Sequence, residues 1–177
     1  GYVEAETIAA MAVVASAIKR ECHMPIGVQI LAGANIEALA VAHTSDLDFV
    51  RVEGFVFAHI GDEGIHEASA AQILRKRAAI KAEKVKIFAD IKKKHSSHAI
   101  TEDISLIETA TTAEFFKADG VIVTGMRTGD APPPSAVGEV KAAVKIPVLV
   151  GSGVTPDNIA AFAQYADAVI FGTYAKF

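Results

Sequence analysis

Asp90 and Lys92 stand two residues apart at the end of Val85-Lys-Ile-Phe-Ala-Asp-Ile-Lys92, an apolar run that reads as a β-strand. On an extended chain such residues share one face, with Cα atoms roughly 6.5–7 Å apart. An acid and a lysine so placed tune each other's pKa and suit proton transfer. A desolvated Lys92 would instead suit a Schiff base with a carbonyl substrate. The alternative is a structural ion pair followed by solvated Lys93 and Lys94. Arg51 and Glu53 repeat the spacing in Phe49-Val-Arg-Val-Glu53. Charges that alternate within a Val-rich strand do not belong under a layer of helices, so they should face the axis or mouth of the fold. Arg51 suits a carboxylate or phosphate and Glu53 a hydroxyl or a basic partner, unless the two form a buried structural pair. With His95 as a further polar group at the same end, the catalytic candidates are Asp90, Lys92, His95, Arg51 and Glu53.

A second motif suits an anion. Val148-Leu-Val-Gly-Ser-Gly-Val-Thr-Pro-Asp-Asn-Ile159 reads as a buried strand, a Gly-Ser-Gly turn and a helix start, with Thr155 at the N-cap and Pro156 at the first helical position. Glycines at 151 and 153 let the backbone approach a ligand, and the amides of Gly151, Ser152 and Gly153 can converge on a phosphate. The next strand ends in Phe171-Gly172-Thr173, and a tandem of this kind fits the phosphate site after the seventh and eighth strands of (β/α)8 enzymes. The glycines otherwise only make tight turns. Residues 54–67, with His59, Asp62, Glu63 and His66, form a candidate lid. Thr124, Arg127 and Asp130 lie in a glycine-rich loop able to fold over a ligand. The pair His95 and His98 lacks the helical spacing of metal ligands, and neither metal nor cofactor is expected.

The elements that position these residues follow from periodicity. Val- and Ile-rich runs at 26–31, 49–53, 85–91, 120–124, 147–150 and 168–171 read as six strands. Between them lie helical patterns, with start signals at Thr101-Glu-Asp103 and at Thr155. Alternation of strand and helix implies an α/β fold with a parallel sheet, open and doubly wound or closed as a (β/α)8 barrel. Residues 4–22 read as a helix with no strand before it. The expectation is one domain over residues 1–177, a partial TIM barrel lacking about the first two strands and the last helix. Such a sheet exposes edges and an apolar interior, which predicts a longer polypeptide or a homo-oligomer.

Composition narrows the partners. Of 177 residues 51% are hydrophobic but only 7% aromatic, so Ala, Val and Ile carry the core, as in sheets covered on both faces. A net charge of −4 supplies no general attraction for nucleic acid. The longest apolar stretch, residues 8–18, is shorter than the roughly 18 residues of a membrane span, so no membrane insertion is expected. A lone Cys22 makes no internal disulfide. These features suit the cytoplasm or an organellar lumen or matrix.

The succession Glu6-Thr-Ile-Ala-Ala-Met11, Phe49-Val-Arg-Val-Glu53, Lys86-Ile-Phe-Ala-Asp-Ile-Lys92 followed by Lys94-His95, Val121-Ile-Val-Thr-Gly125 and Val148-Leu-Val-Gly-Ser-Gly-Val-Thr-Pro156 resembles the BtpA/SgcQ family. The resemblance implies a phosphate-binding TIM barrel, covered here from its second helix to its eighth strand. It carries over Asp90, Lys92, His95 and the 151–153 loop as site residues, while Glu53 stands where many relatives have Asn. The family name comes from photosystem I biogenesis or stability, and other members look like sugar-metabolism enzymes. The expected function is therefore a lyase- or isomerase-type enzyme using acid/base or Schiff-base chemistry on a small phosphorylated, sugar-like metabolite. The alternative is a noncatalytic assembly or stability factor that keeps the barrel and an anion site.

Overall fold

The computed structural model describes residues 2–176; Gly1 and Phe177, the limits of the expected domain, lie outside the described residues. In chain order the elements are α1 (Ala5–Glu21), β1 (Gly27–Val28), α2 (Asn35–Thr44), β2 (Phe49–Val52), β3 (His59–Gly61), β4 (Gly64–His66), α3 (Ala70–Ala79) and β5 (Lys86–Ile91). There follow β6 (Ser96–Ser97), α4 (Leu106–Phe115), β7 (Gly120–Val123), α5 (Pro134–Ala143), β8 (Val148–Val150), α6 (Ile159–Phe162) and β9 (Ala168–Val169). Single 3-10 turns lie at Ala99–Thr101 and Thr173–Ala175.

All six strands expected from the apolar runs form one parallel sheet in the order β1-β2-β5-β7-β8-β9, curled as part of a TIM-type barrel. Both of its faces are largely apolar, the inner one apart from Arg51 and Asp90 towards the mouth. Val50, Val52, Ile87, Ala89, Val121, Val123, Val148 and Val150 are buried against Leu39, Ile73, Ala113, Val140 and Phe162 of the helix layer. On the inner face Phe49, Phe88, Ile122 and Leu149 line an open hollow of about 530 Å³. Two apolar faces explain why the strands read as continuous hydrophobic runs instead of alternating ones.

At the bottom of the sheet, one device repeats. Asp48, Asp119 and Asp167 each directly precede a strand, and each carboxylate accepts the backbone N–H of the neighbouring strand: Ile26 at 2.7 Å, Ile87 at 3.0 Å and Val148 at 2.8 Å. A helix cation completes each tie: Lys19, Arg77 and Lys141. Charges at this end thus hold strands in place.

Three boundaries differ from the sequence reading. The helix expected from Thr101 begins at Leu106, because Ser105 and Glu108 form a reciprocal capping box that satisfies the first amides. The helix expected from Thr155 is the short α6, since Asn158 folds the intervening residues into a turn. Residues 54–67 contain the hairpin β3–β4, whose ladder extends to β6, so the expected lid is a small antiparallel sheet. Among the described residues no helix is long and apolar enough to cross a membrane.

Candidate functional site

The segment after β5 decides the layout of the mouth. Asp90 lies on the inner face of β5 with its side chain 1% exposed, and Arg51 reaches it from β2. The guanidinium donates Nε to the two carboxylate oxygens at 3.1 and 3.2 Å and Nη2 to one at 2.8 Å. Burial pushes the Asp90 carboxyl up to about 6, against the lowering effect of Arg51. The expected pairing of Asp90 with Lys92 does not form. Lys92 has φ +46°, which breaks the alternation of the strand, and its ammonium donates instead to the Thr101 carbonyl at 2.8 Å.

The next two lysines diverge as well. Lys93 is buried and meets Glu53 Oε2 at 2.6 Å, while Gln29 Nε2 donates to the other oxygen at 2.7 Å. Burial alone would raise the Glu53 carboxyl, yet Lys93 and Gln29 hold it below its ordinary range. Arg51 and Glu53 therefore do not pair with each other; each takes a partner from the β5 segment. Lys94, its backbone N–H donating to Thr124 Oγ1 at 3.2 Å, turns into the mouth. Burial, then the neighbouring Arg51 charge, lowers its pKa. The exposed His95 also has positive φ, +56°; its Nε2 lies 2.8 Å from Thr128 Oγ1 and accepts the Thr128 N–H. Neither Lys93 nor Lys94 is the freely solvated lysine that an unbroken strand would have left there.

Above these groups opens a cavity of about 430 Å³, lined by Gly151, Ser152, Gly153, Gly172 and Thr173 together with Arg51, Lys94, Thr128, Gly129, Tyr174 and Lys176. Gly151 is required by packing: a methyl there would lie 2.5 Å from Ile122 Cγ2 and 2.9 Å from Thr124 Cγ2. Gly153 has φ +68°, and a methyl would overlap the Ala131 amide nitrogen. Two parts of the expected anion site need correction. The Gly151 N–H is spent on the Val123 carbonyl at 2.7 Å, and the Ser152 hydroxyl clips the β7 and β8 loops together by donating to Asp130 O and accepting from Gly125 N. Among the described residues, the N–H groups of Ser152, Gly153, Gly172 and Thr173 meet no protein acceptor. The helix start expected at Thr155 contributes no dipole. Instead Asn158 braces the loop, its Oδ1 accepting from Thr155 N and its Nδ2 donating to Gly153 O.

The β3–β4 hairpin, expected as a lid, does not line this cavity; His59 borders a separate small one with Asp90, Lys92, Lys93 and His98. His59 and His66 pair across β3 and β4, both 5% exposed, with rings stacked at 5.1 Å and His98 at 5.3 Å from His59. Burial brings His59 down to about 4 and lowers His66 too. Asp62 sits exposed at the hairpin tip. Arg127 is exposed and does not line the cavity; Thr128 and Gly129 of the same loop do. Thr124 acts through Lys94 and Gly151. Among the described residues no group of three or more His, Cys, Asp or Glu could hold a metal. The sequence reading missed Lys94, Thr128 and Gly129; the one signal was their place just beyond strand ends.

Comparison with known proteins adds a family and a fold. The model described as the BtpA family matches residues 2–177. An uncharacterised mitochondrial protein of Caenorhabditis elegans is 46% identical over 97% of this chain and 63% of its own length. The photosystem I biogenesis protein BtpA of Synechocystis is 30% identical over 98% of this chain and 60% of its own. The chain thus spans less than two thirds of the length of either relative. Among solved structures, the thiamine phosphate pyrophosphorylase of Pyrococcus furiosus superposes with a TM-score of 0.62 at 17% identity, over 92% of this chain and 65% of that one, a likeness of fold.

Proposed function

The chain belongs to the BtpA family, and on that premise we propose an enzyme that acts on a small phosphorylated, sugar-like metabolite held at the mouth of the barrel. The phosphate sits on the N–H groups of Ser152, Gly153, Gly172 and Thr173, with Arg51 supplying positive charge. The observation that carries this reading is convergence: the turns after β8 and β9, Arg51 of β2 and Lys94 beyond β5 line one cavity of about 430 Å³, within the size range of small-molecule sites. Asp90 acts as a positioning residue, fixing Arg51 through its forked contact. Lys94 is the group free to exchange a proton with the substrate, a role that the sequence spacing had offered to Lys92. His95 holds the Thr128 loop over the same space.

The alternative is a noncatalytic assembly factor that keeps the anion site, and the Synechocystis relative, a photosystem I biogenesis protein by name, favours it. We place the working protein in the cytoplasm or an organellar matrix, the nematode relative being named mitochondrial. The apolar hollow of the inner face favours a homo-oligomer, and light scattering that finds a stable monomer overturns that part.

Thermal shift against inorganic phosphate and a panel of phosphorylated metabolites tests the main reading. A ligand at a hundredfold its Kd adds about 2.7 kcal/mol of stability. The reading expects phosphate esters to raise Tm in the wild type and not in Arg51→Met. A panel without any stabilising ester removes it, and a site that binds phosphate but turns over no ester favours the assembly factor.

A further inference from the structure

We infer that Lys94 forms a Schiff base with the carbonyl carbon of its substrate, which makes that substrate a phosphorylated aldehyde or ketone. The inference rests on the phosphate site proposed above and names the class of molecule that occupies it.

Three successive lysines leave β5, and the backbone sends each to a different place. Lys92 and His95, neither of them glycine, both sit in the left-handed region, at φ +46° and +56°. Each such residue carries a conformational cost, and costs of this kind persist where the surrounding structure enforces them, often at sites of chemistry. The result here is a division of tasks. The Lys92 ammonium is occupied by the Thr101 carbonyl and that of Lys93 by Glu53. Lys94 alone of the three enters the cavity that the glycine turns line, and among the described residues it makes no ion pair. Its backbone is pinned by Thr124 Oγ1, so the amine is delivered from a fixed base.

The surroundings suit an amine that must lose a proton before it attacks. Arg51 lines the same cavity, and Asp90, which could otherwise pair with the Lys94 ammonium, is taken by its forked contact with Arg51. Glu53 is likewise committed to Lys93. Partial burial, then the Arg51 charge, lowers the Lys94 pKa against the opposing pull of Asp90 and Glu53, which eases loss of the proton. In the step itself the Nζ lone pair adds to the carbonyl carbon, the C=O π pair moves to oxygen, and that oxygen takes up a proton. Nitrogen then passes one of its two remaining protons to the hydroxyl, expels it as water and becomes the protonated imine. In sum, the lysine ammonium and the carbonyl compound give an iminium and one water, with charge and hydrogens conserved and no oxidant or reductant involved.

Pyridoxal 5′-phosphate, a phosphorylated aldehyde, serves as the probe on the whole chain, with borohydride to fix any imine and peptide mapping to locate it. The expected result is one adduct per chain at Lys94, suppressed by excess inorganic phosphate, lost in Lys94→Arg and retained in Lys92→Met. Binding of inorganic phosphate, followed by thermal shift in wild type and Lys94→Arg, is read in parallel; the guanidinium stays protonated and forms no imine, and Lys94→Gln provides a second variant should it misfold. Phosphate binding without an adduct at Lys94, or with adducts scattered over surface lysines, overturns the Schiff base and leaves the phosphate site standing. Absence of phosphate binding in the wild type, with labelling indifferent to phosphate, overturns both.

Discussion

Acidification from pH 7 to pH 4 should cost this fold about 3 kcal/mol through His59 alone. The residue is 5% exposed, its Nε2 is buried with no partner, and its ring lies against those of His66 and His98. Burial first, then the potential charges of His98 and His66 and the ammonium of Lys93, bring its folded pKa from the ordinary 6.5 to about 4. Between these values the unfolded chain binds a proton that the folded chain refuses. The contribution is therefore complete above pH 6.5 and is lost as pH falls towards 4. At about 1.4 kcal/mol per pH unit the difference comes to about 3 kcal/mol, a large part of the roughly 5–15 kcal/mol by which domains are stable. His66 is shifted the same way and adds to the slope. Urea denaturation followed by circular dichroism, at a series of pH values for wild type and His59→Phe, isolates the effect, since the phenyl ring keeps the stacking and cannot titrate. Carboxylate titrations common to both proteins cancel in the difference. Parallel curves for the two proteins would refute the reasoning.

The other predictions concern the mouth. Glu53→Gln leaves the Lys93 ammonium buried without its counter-charge and should destabilise the protein by about 3 kcal/mol, measured by urea denaturation at neutral pH. Gly153→Ala meets both a left-handed backbone and the Ala131 amide, so it should cost at least about 1 kcal/mol and abolish the thermal shift given by phosphate. Arg51→Lys loses the fork that Asp90 holds and should weaken phosphate binding by isothermal titration, whereas Lys92→Met should leave that affinity unchanged.

The sheet was legible because its strands are Val- and Ile-rich runs, apolar on both faces except for Arg51 and Asp90 near the mouth, a pattern that survives even where the ladder is only two residues long, as at Gly27–Val28 and Ala168–Val169. Strands β3 and β4 were not. Their outward residues Ile60 and Ile65 are apolar and their inward ones are His59 and His66, the reverse of the usual signal. The glycine turns could be placed from sequence because few other residues fit so close to a neighbouring strand or at positive φ. Which amides remained free could not, since that depends on Val123 across the ladder. The lysine assignment failed for one local reason: alternation of faces holds only while the chain stays extended, and nothing in a lysine side chain announces a left-handed residue.

The aspartate ties beneath the sheet bear on how such a protein can change. Asp48, Asp119 and Asp167 grip their neighbouring strands with backbone as well as side chain, the N–H groups of the three donating to Ile26, Ile87 and Val148. Register is thus secured unit by unit at the end remote from the cavity. A loop at the mouth can then lengthen, shorten or exchange its residues without asking the strands beneath it to find a new alignment. The chain behaves in this respect like a rack of separately clamped slots, and descendants or engineers can refit one loop at a time.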